Sequence, residues 1–163
     1  MSNETVYLEA TPYLEALAGD EGFSDKIYYD EYHHATLGIG LNLDAGIDYE
    51  MAYAAMAAKY YTLHRTLNKI YPFFDFLSSP RQYVLVNMAY NMGLTGLASF
   101  RDFLAALEKF DYEGASAALI ASNYYRQVGP RARRLADVIH TNEMPQHQPI
   151  LRAPFVITFS PIN

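Results

Sequence analysis

The sequence predicts an α+β fold, with a small β-hairpin lobe and a mainly helical lobe built round a buried central helix. Three observations predict it. Residues 26–41 carry the alternation and turn residues of a hairpin. Pro80 opens RQYVLVNMAYNMG, which is apolar almost all the way round and so suits a helix at the centre of a bundle. Most other stretches between residues 48 and 141 combine helical periodicity with start and stop signals.

The first helix starts at Thr11-Pro12, a hydroxyl cap followed by proline at the first helical position. It runs through Leu14 and Leu17 to Gly22, which suits a left-handed C-terminal cap. Lys26–Asp30 and His34–Leu41 then read as the two strands of a hairpin. In the second strand Leu37, Ile39 and Leu41 are expected to form a core face. Thr36, Gly38 and Gly40 share the other face, whose lack of bulk lets something approach the backbone. Asp48 is expected to cap a helix running to about His64, followed by a short helix over 68–77. Gly93 ends the central helix. Further helices are expected near 95–107, 111–121 and 123–127, and from Gly129-Pro130 to about Thr141. One domain, residues 1–141, is expected to hold both lobes: the hairpin lobe about 23–47, the helical lobe about 12–22 and 48–141. Residues 142–163 read as a non-helical, Pro-rich tail.

The bulk properties exclude several classes. The 163 residues, 51% of them apolar, are enough for one well-buried domain. With no cysteine there is no disulfide, no thiolate nucleophile and no thiolate metal site, which fits synthesis in a reducing cytosol. Neither a secretory signal nor a membrane span is visible. Charge is lopsided: residues 1–60 hold eleven acids against Lys26 and Lys59, whereas residues 61–163 hold seven acids and ten bases. The basic excess is small and mostly confined to Arg126–Arg134, which disfavours nucleic acid as a partner. His33 and His34 read as exposed residues of the hairpin turn, His140 and His147 show no recognisable metal-ligand spacing, and no cofactor or metal is expected.

Four charged residues break local rules. Asp20 and Glu21 end the first helix, where the dipole disfavours acids, and Arg131 and Arg134 open the last one, where it disfavours cations. Solvated helix ends tolerate such a cost. The alternative is that the two groups meet at a functional site, where the dipole and burial would favour a protonated Glu21 suited to acid catalysis. Asp30 ends the first strand, and Thr36 lies near a groove floored by Gly38 and Gly40. Two carboxylates flanking a groove are the minimum kit for glycosidic hydrolysis.

Asp20-Glu21-Gly22, Lys26-Ile27-Tyr28-Tyr29-Asp30 and Thr36-Leu37-Gly38-Ile39-Gly40 together resemble the lysozymes of T-even and related bacteriophages, glycoside hydrolase family 24. The family pattern is a glutamate, eight residues, an aspartate, five residues, and a threonine followed by Gly-x-Gly. Asn87–Gly93, Leu94-Thr95-Gly96, Phe100, Tyr124–Gln127 and Pro130–Arg134 resemble later family motifs, and the likeness covers roughly residues 12–141. The resemblance implies a lysozyme-like fold and a muramidase cleaving the β-1,4 bond between N-acetylmuramic acid and N-acetylglucosamine. It implies that Glu21 is the general acid, and that Asp30 and Thr36 position the attacking water with inversion. Gly38, Gly40, Tyr90, Asn91 and Tyr124 would contact substrate or line the cleft. Arg131 would pair with Glu21, and Arg134 with Asp20.

The departures are Leu41 in place of a histidine, Tyr124 in place of a tryptophan, a shorter connection from Gly40 to Asn87, and acidic rather than basic overall charge. The expected partner is bacterial peptidoglycan, met by a monomer made in the cytoplasm and acting in the periplasm or cell wall. Delivery would be holin-assisted or by a tail or secretion apparatus. Two other readings stay open: a lytic transglycosylase on the same frame, and a wall-binding or assembly module without catalysis.

Overall fold

The computed structural model describes residues 12–144, and its α+β class is the one the sequence predicts. The cap at Thr11, the rest of residues 1–11 and the tail from residue 145 onward lie outside the described residues. The chain divides into two compact units, Met1–Met56 and Ala57–Asn163.

In the first unit, α1 (Pro12–Glu21) is followed by β1 (Ser24–Tyr29), β2 (Ala35–Gly38) and β3 (Leu41–Asn42), and then by the start of α2 (Tyr49–Ile70). Gly22 closes α1 with φ +70°, its N–H bonded to the Ala18 carbonyl at 3.0 Å, as a C-terminal glycine should. The sheet is an antiparallel meander in the order β1-β2-β3. Tyr29 faces Ala35 across the first turn, and Leu37 faces Leu41 across the second.

The second turn corrects the expected strand His34–Leu41. Gly38 and Gly40 both have positive φ, +68° and +65°, so the chain cannot continue extended and folds back through Ile39. The expected core face is lost with it. Ile39 is half exposed, whereas Thr36, at 4% exposure, is the one buried residue among the described residues up to Met56. Met51 and Met56 are exposed as well.

Asp48 starts α2 as expected, its Oδ1 accepting the Met51 N–H at 2.8 Å. The helix continues to Ile70, beyond the expected end at His64. The expected second helix shrinks to a single 3-10 turn at Phe74–Phe76.

The second unit is built on α3 (Ser79–Ala98). Val84, Leu85 and Val86 are each fully buried, and three consecutive buried positions mean that this helix is enclosed on most sides. Gly93, at φ 77° and ψ 169°, kinks α3 in a conformation essentially reserved for glycine. Then follow α4 (Arg101–Glu108), α5 (Tyr112–Ala121), α6 (Asn123–Val128) and α7 (Pro130–Thr141). Asp111 caps α5 and Ser122 caps α6 through their side-chain oxygens. The core joins α3 to Phe103 and Leu107 of α4, Leu119 of α5, and Leu135, Val138 and Ile139 of α7. No helix among the described residues is long and apolar enough to cross a membrane.

Candidate active site

The expected site residues fall into both units. Asp20, Glu21, Asp30, Thr36, Gly38 and Gly40 belong to the first; Tyr90, Asn91, Tyr124, Arg131 and Arg134 belong to the second. The pairs Arg131–Glu21 and Arg134–Asp20 each link one unit to the other and stay expectations of the resemblance.

In the first unit α1 delivers Glu21 to the turn between β2 and β3. A Cβ built on Gly40 would stand 2.8 Å from Glu21 Cδ and closer still to Oε2, so the carboxylate occupies the space a side chain would need. The bare strip read from sequence therefore admits a residue of this chain at Gly40. At Gly38 nothing lies within 4 Å of the same position, leaving that stretch of backbone open.

Asp30 is fixed by the turn it opens. Its N–H donates to the His34 carbonyl at 3.1 Å, and the loop between them is three residues long. His33 closes that loop at φ 67°, the left-handed step typical of three-residue hairpin loops and better tolerated by histidine than by most residues. Asp30 Oδ1 accepts two backbone N–H groups, Tyr32 at 2.9 Å and His34 at 2.8 Å. Asp30 Oδ2 lies 3.3 Å from His34 Nδ1. The His34 N–H, foremost among these, holds the Asp30 carboxyl below its ordinary value; the Tyr32 N–H and the His34 ring add to this, and desolvation opposes it. The turn thus favours the ionised form of the Asp30 carboxylate. Thr36 donates its hydroxyl proton to the His34 carbonyl at 3.1 Å, so its oxygen remains able to accept.

In the second unit, Tyr90 and Asn91 are exposed near the C-terminal end of the straight part of α3, just before the Gly93 kink. Arg131 stands in the first turn of α7 and donates from both Nε and Nη2 to Asn87 Oδ1, at 3.0 and 2.8 Å. Asn87 Nδ2 donates in turn to the Tyr83 hydroxyl at 2.8 Å, so a polar chain ties α7 to α3. Tyr124, expected as a cleft wall, is only 6% exposed and meets Phe100 edge-on. Its hydroxyl is buried with no hydrogen-bond partner among the described residues. Burial pushes this phenol above its ordinary value, against a smaller opposite pull from the Arg131 charge. Arg134 lies on the exposed side of α7, in a shallow depression with Asp137 and Glu143.

No family model matches the chain. The chain is similar to the pre-baseplate central spike protein Gp5 of Enterobacteria phage T4, with 27% identity over 169 residues. That match takes in 86% of this chain but 29% of Gp5, so the chain spans less than a third of its relative's length.

Two contacts made by the expected site residues escaped sequence reasoning. His34 was read as an exposed turn histidine, although Asp-x-x-x-His across a three-residue loop places ring and carboxylate on one side. Asn87 belongs to the central-helix motif but carries no charge, so nothing marked it as the partner of Arg131. No group of three or more His, Cys, Asp or Glu among the described residues could hold a metal ion.

Proposed function

We propose that this chain is a peptidoglycan hydrolase, a muramidase cleaving the β-1,4 bond between N-acetylmuramic acid and N-acetylglucosamine with inversion. The observation that carries the proposal is the Glu21 carboxylate lodged against Gly40, in the same small unit as an Asp30 held ionised by its hairpin. Glu21 gives its proton to the glycosidic oxygen. Water attacks the anomeric carbon from the opposite face, directed by Asp30 and the Thr36 oxygen, and loses its proton to Asp30. The open backbone at Gly38 suits close approach of a sugar, and the exposed Tyr90 and Asn91 offer a ring and an amide for further sugar contacts.

Similarity to a baseplate central spike supports delivery with a tail apparatus over a holin-assisted route. The same likeness favours, as a second reading, an assembly module without turnover. Product analysis of digested peptidoglycan tests the reaction. The proposal expects new reducing ends, formed first as the α-anomer. A 1,6-anhydro product would mean a lytic transglycosylase, and wall binding without any product would mean the assembly module.

A further inference from the structure

Residue 34 touches both groups assigned to the water. Its N–H donates to Asp30 Oδ1, its ring nitrogen Nδ1 meets Asp30 Oδ2, and its carbonyl accepts the Thr36 hydroxyl. A carboxylate offers about four lone-pair directions. The Tyr32 and His34 N–H groups take the two on Oδ1, and the imidazole takes one on Oδ2. One direction on Oδ2 remains.

We propose that His34 is a positioning residue: its imidazole sets the orientation of the Asp30 carboxylate and leaves one Oδ2 lone pair aimed at the attacking water. This inference rests on the proposed hydrolysis for its kinetic consequence, but the contact itself does not. Because an ionised carboxylate only accepts, His34 Nδ1 must carry a hydrogen, as the Nδ1–H tautomer or as imidazolium. Other titratable groups of the hairpin near this ring are Tyr32, whose ring centroid lies 6.3 Å away, the adjacent His33, and Asp44, whose carboxylate accepts the Ala35 N–H.

His34 can be replaced without threatening the fold, because its side chain is 47% exposed and its backbone bonds survive substitution. H34A should lower kcat about tenfold with KM nearly unchanged, since one of three anchors on the carboxylate is lost. H34N should restore most of kcat, because Asn Nδ2 reaches the position of the ring Nδ1. H34A and H34N with equal kcat would overturn the proposal. A second measurement holds whether or not the chain proves to be a hydrolase. Carboxyl carbon NMR should show the Asp30 pKa rising part of the way toward its ordinary value in H34A and remaining low in H34N. An unchanged Asp30 titration in H34A would overturn the contact, while a wild type without peptidoglycan turnover would count only against the hydrolase.

Discussion

The Glu21 carboxylate fills the space that a side chain at residue 40 would occupy. Helix and sheet are thereby fitted to each other at one point: α1 ends where β2 turns into β3, and the turn is bare because an acid stands on it. The contact also makes Gly40 a specific requirement, for two separable reasons. Its φ of +65° disfavours any other residue, and its open face is taken.

Gly40→Ala and Gly46→Ala separate those reasons. Both glycines have positive φ, but only at Gly40 would the new methyl strike Glu21, and nothing lies within 4 Å at Gly46. Each alanine should cost about 1–2 kcal/mol of strain in thermal or denaturant unfolding. Only G40A should also displace the acid, lowering peptidoglycan turnover about a hundredfold. Equal activity losses in the two variants would show that the contact has no part in the reaction.

Asp30 links stability to acid pH. Its carboxyl is depressed chiefly by the His34 N–H, so ionised Asp30 stabilises the folded state above the unfolded carboxylate value of about 3.9, and that stability is lost as pH falls through the folded value. Wild type should therefore exceed D30N in denaturant midpoint at neutral pH. The two should converge once pH has fallen through the folded value. A pH-independent gap would contradict the assignment.

Tyr124 buries a hydroxyl without a partner among the described residues. An unpaired buried donor costs about 1–3 kcal/mol, so Y124F should raise the melting temperature, with a gain of roughly 1 kcal/mol. A lower melting temperature would mean that a bound water completes the hydroxyl.

Arg131 holds Asn87 through two nitrogens of one rigid guanidinium. R131K should lose about 1 kcal/mol in denaturant unfolding, because an ammonium cannot reproduce the fork. N87A should cost at least as much and leave little further effect for R131K when combined with it. Additive losses in that double-mutant cycle would deny the pairing.

Much of the helical unit was legible because its signals are local. Apolar residues on all sides of 83–89 forced a buried helix, and Gly129-Pro130 marked the start of α7 to the residue. The hairpin was legible only in part. Alternation assigns faces but carries no information about the sign of φ, so Gly38 and Gly40 looked like small residues on one face rather than the two corners of a turn. Glu21 stood out because an acid at a helix C-terminus breaks a rule, and Asp30 because it ends a strand beside a bare groove. Their geometric partners did not, because Gly40 has no side chain to read and His34 acts through a turn whose shape the sequence alone leaves open.

The most direct test of the central claim compares wild type with Glu21→Gln on purified Gram-negative peptidoglycan, following both soluble muropeptide release and sedimentation of bound protein. Glutamine keeps the size of residue 21 and its place against Gly40 but cannot donate the carboxylic proton. The account predicts release by wild type, loss of release by at least about a hundredfold in E21Q, and undiminished binding by both. Equal release by the two proteins would contradict it.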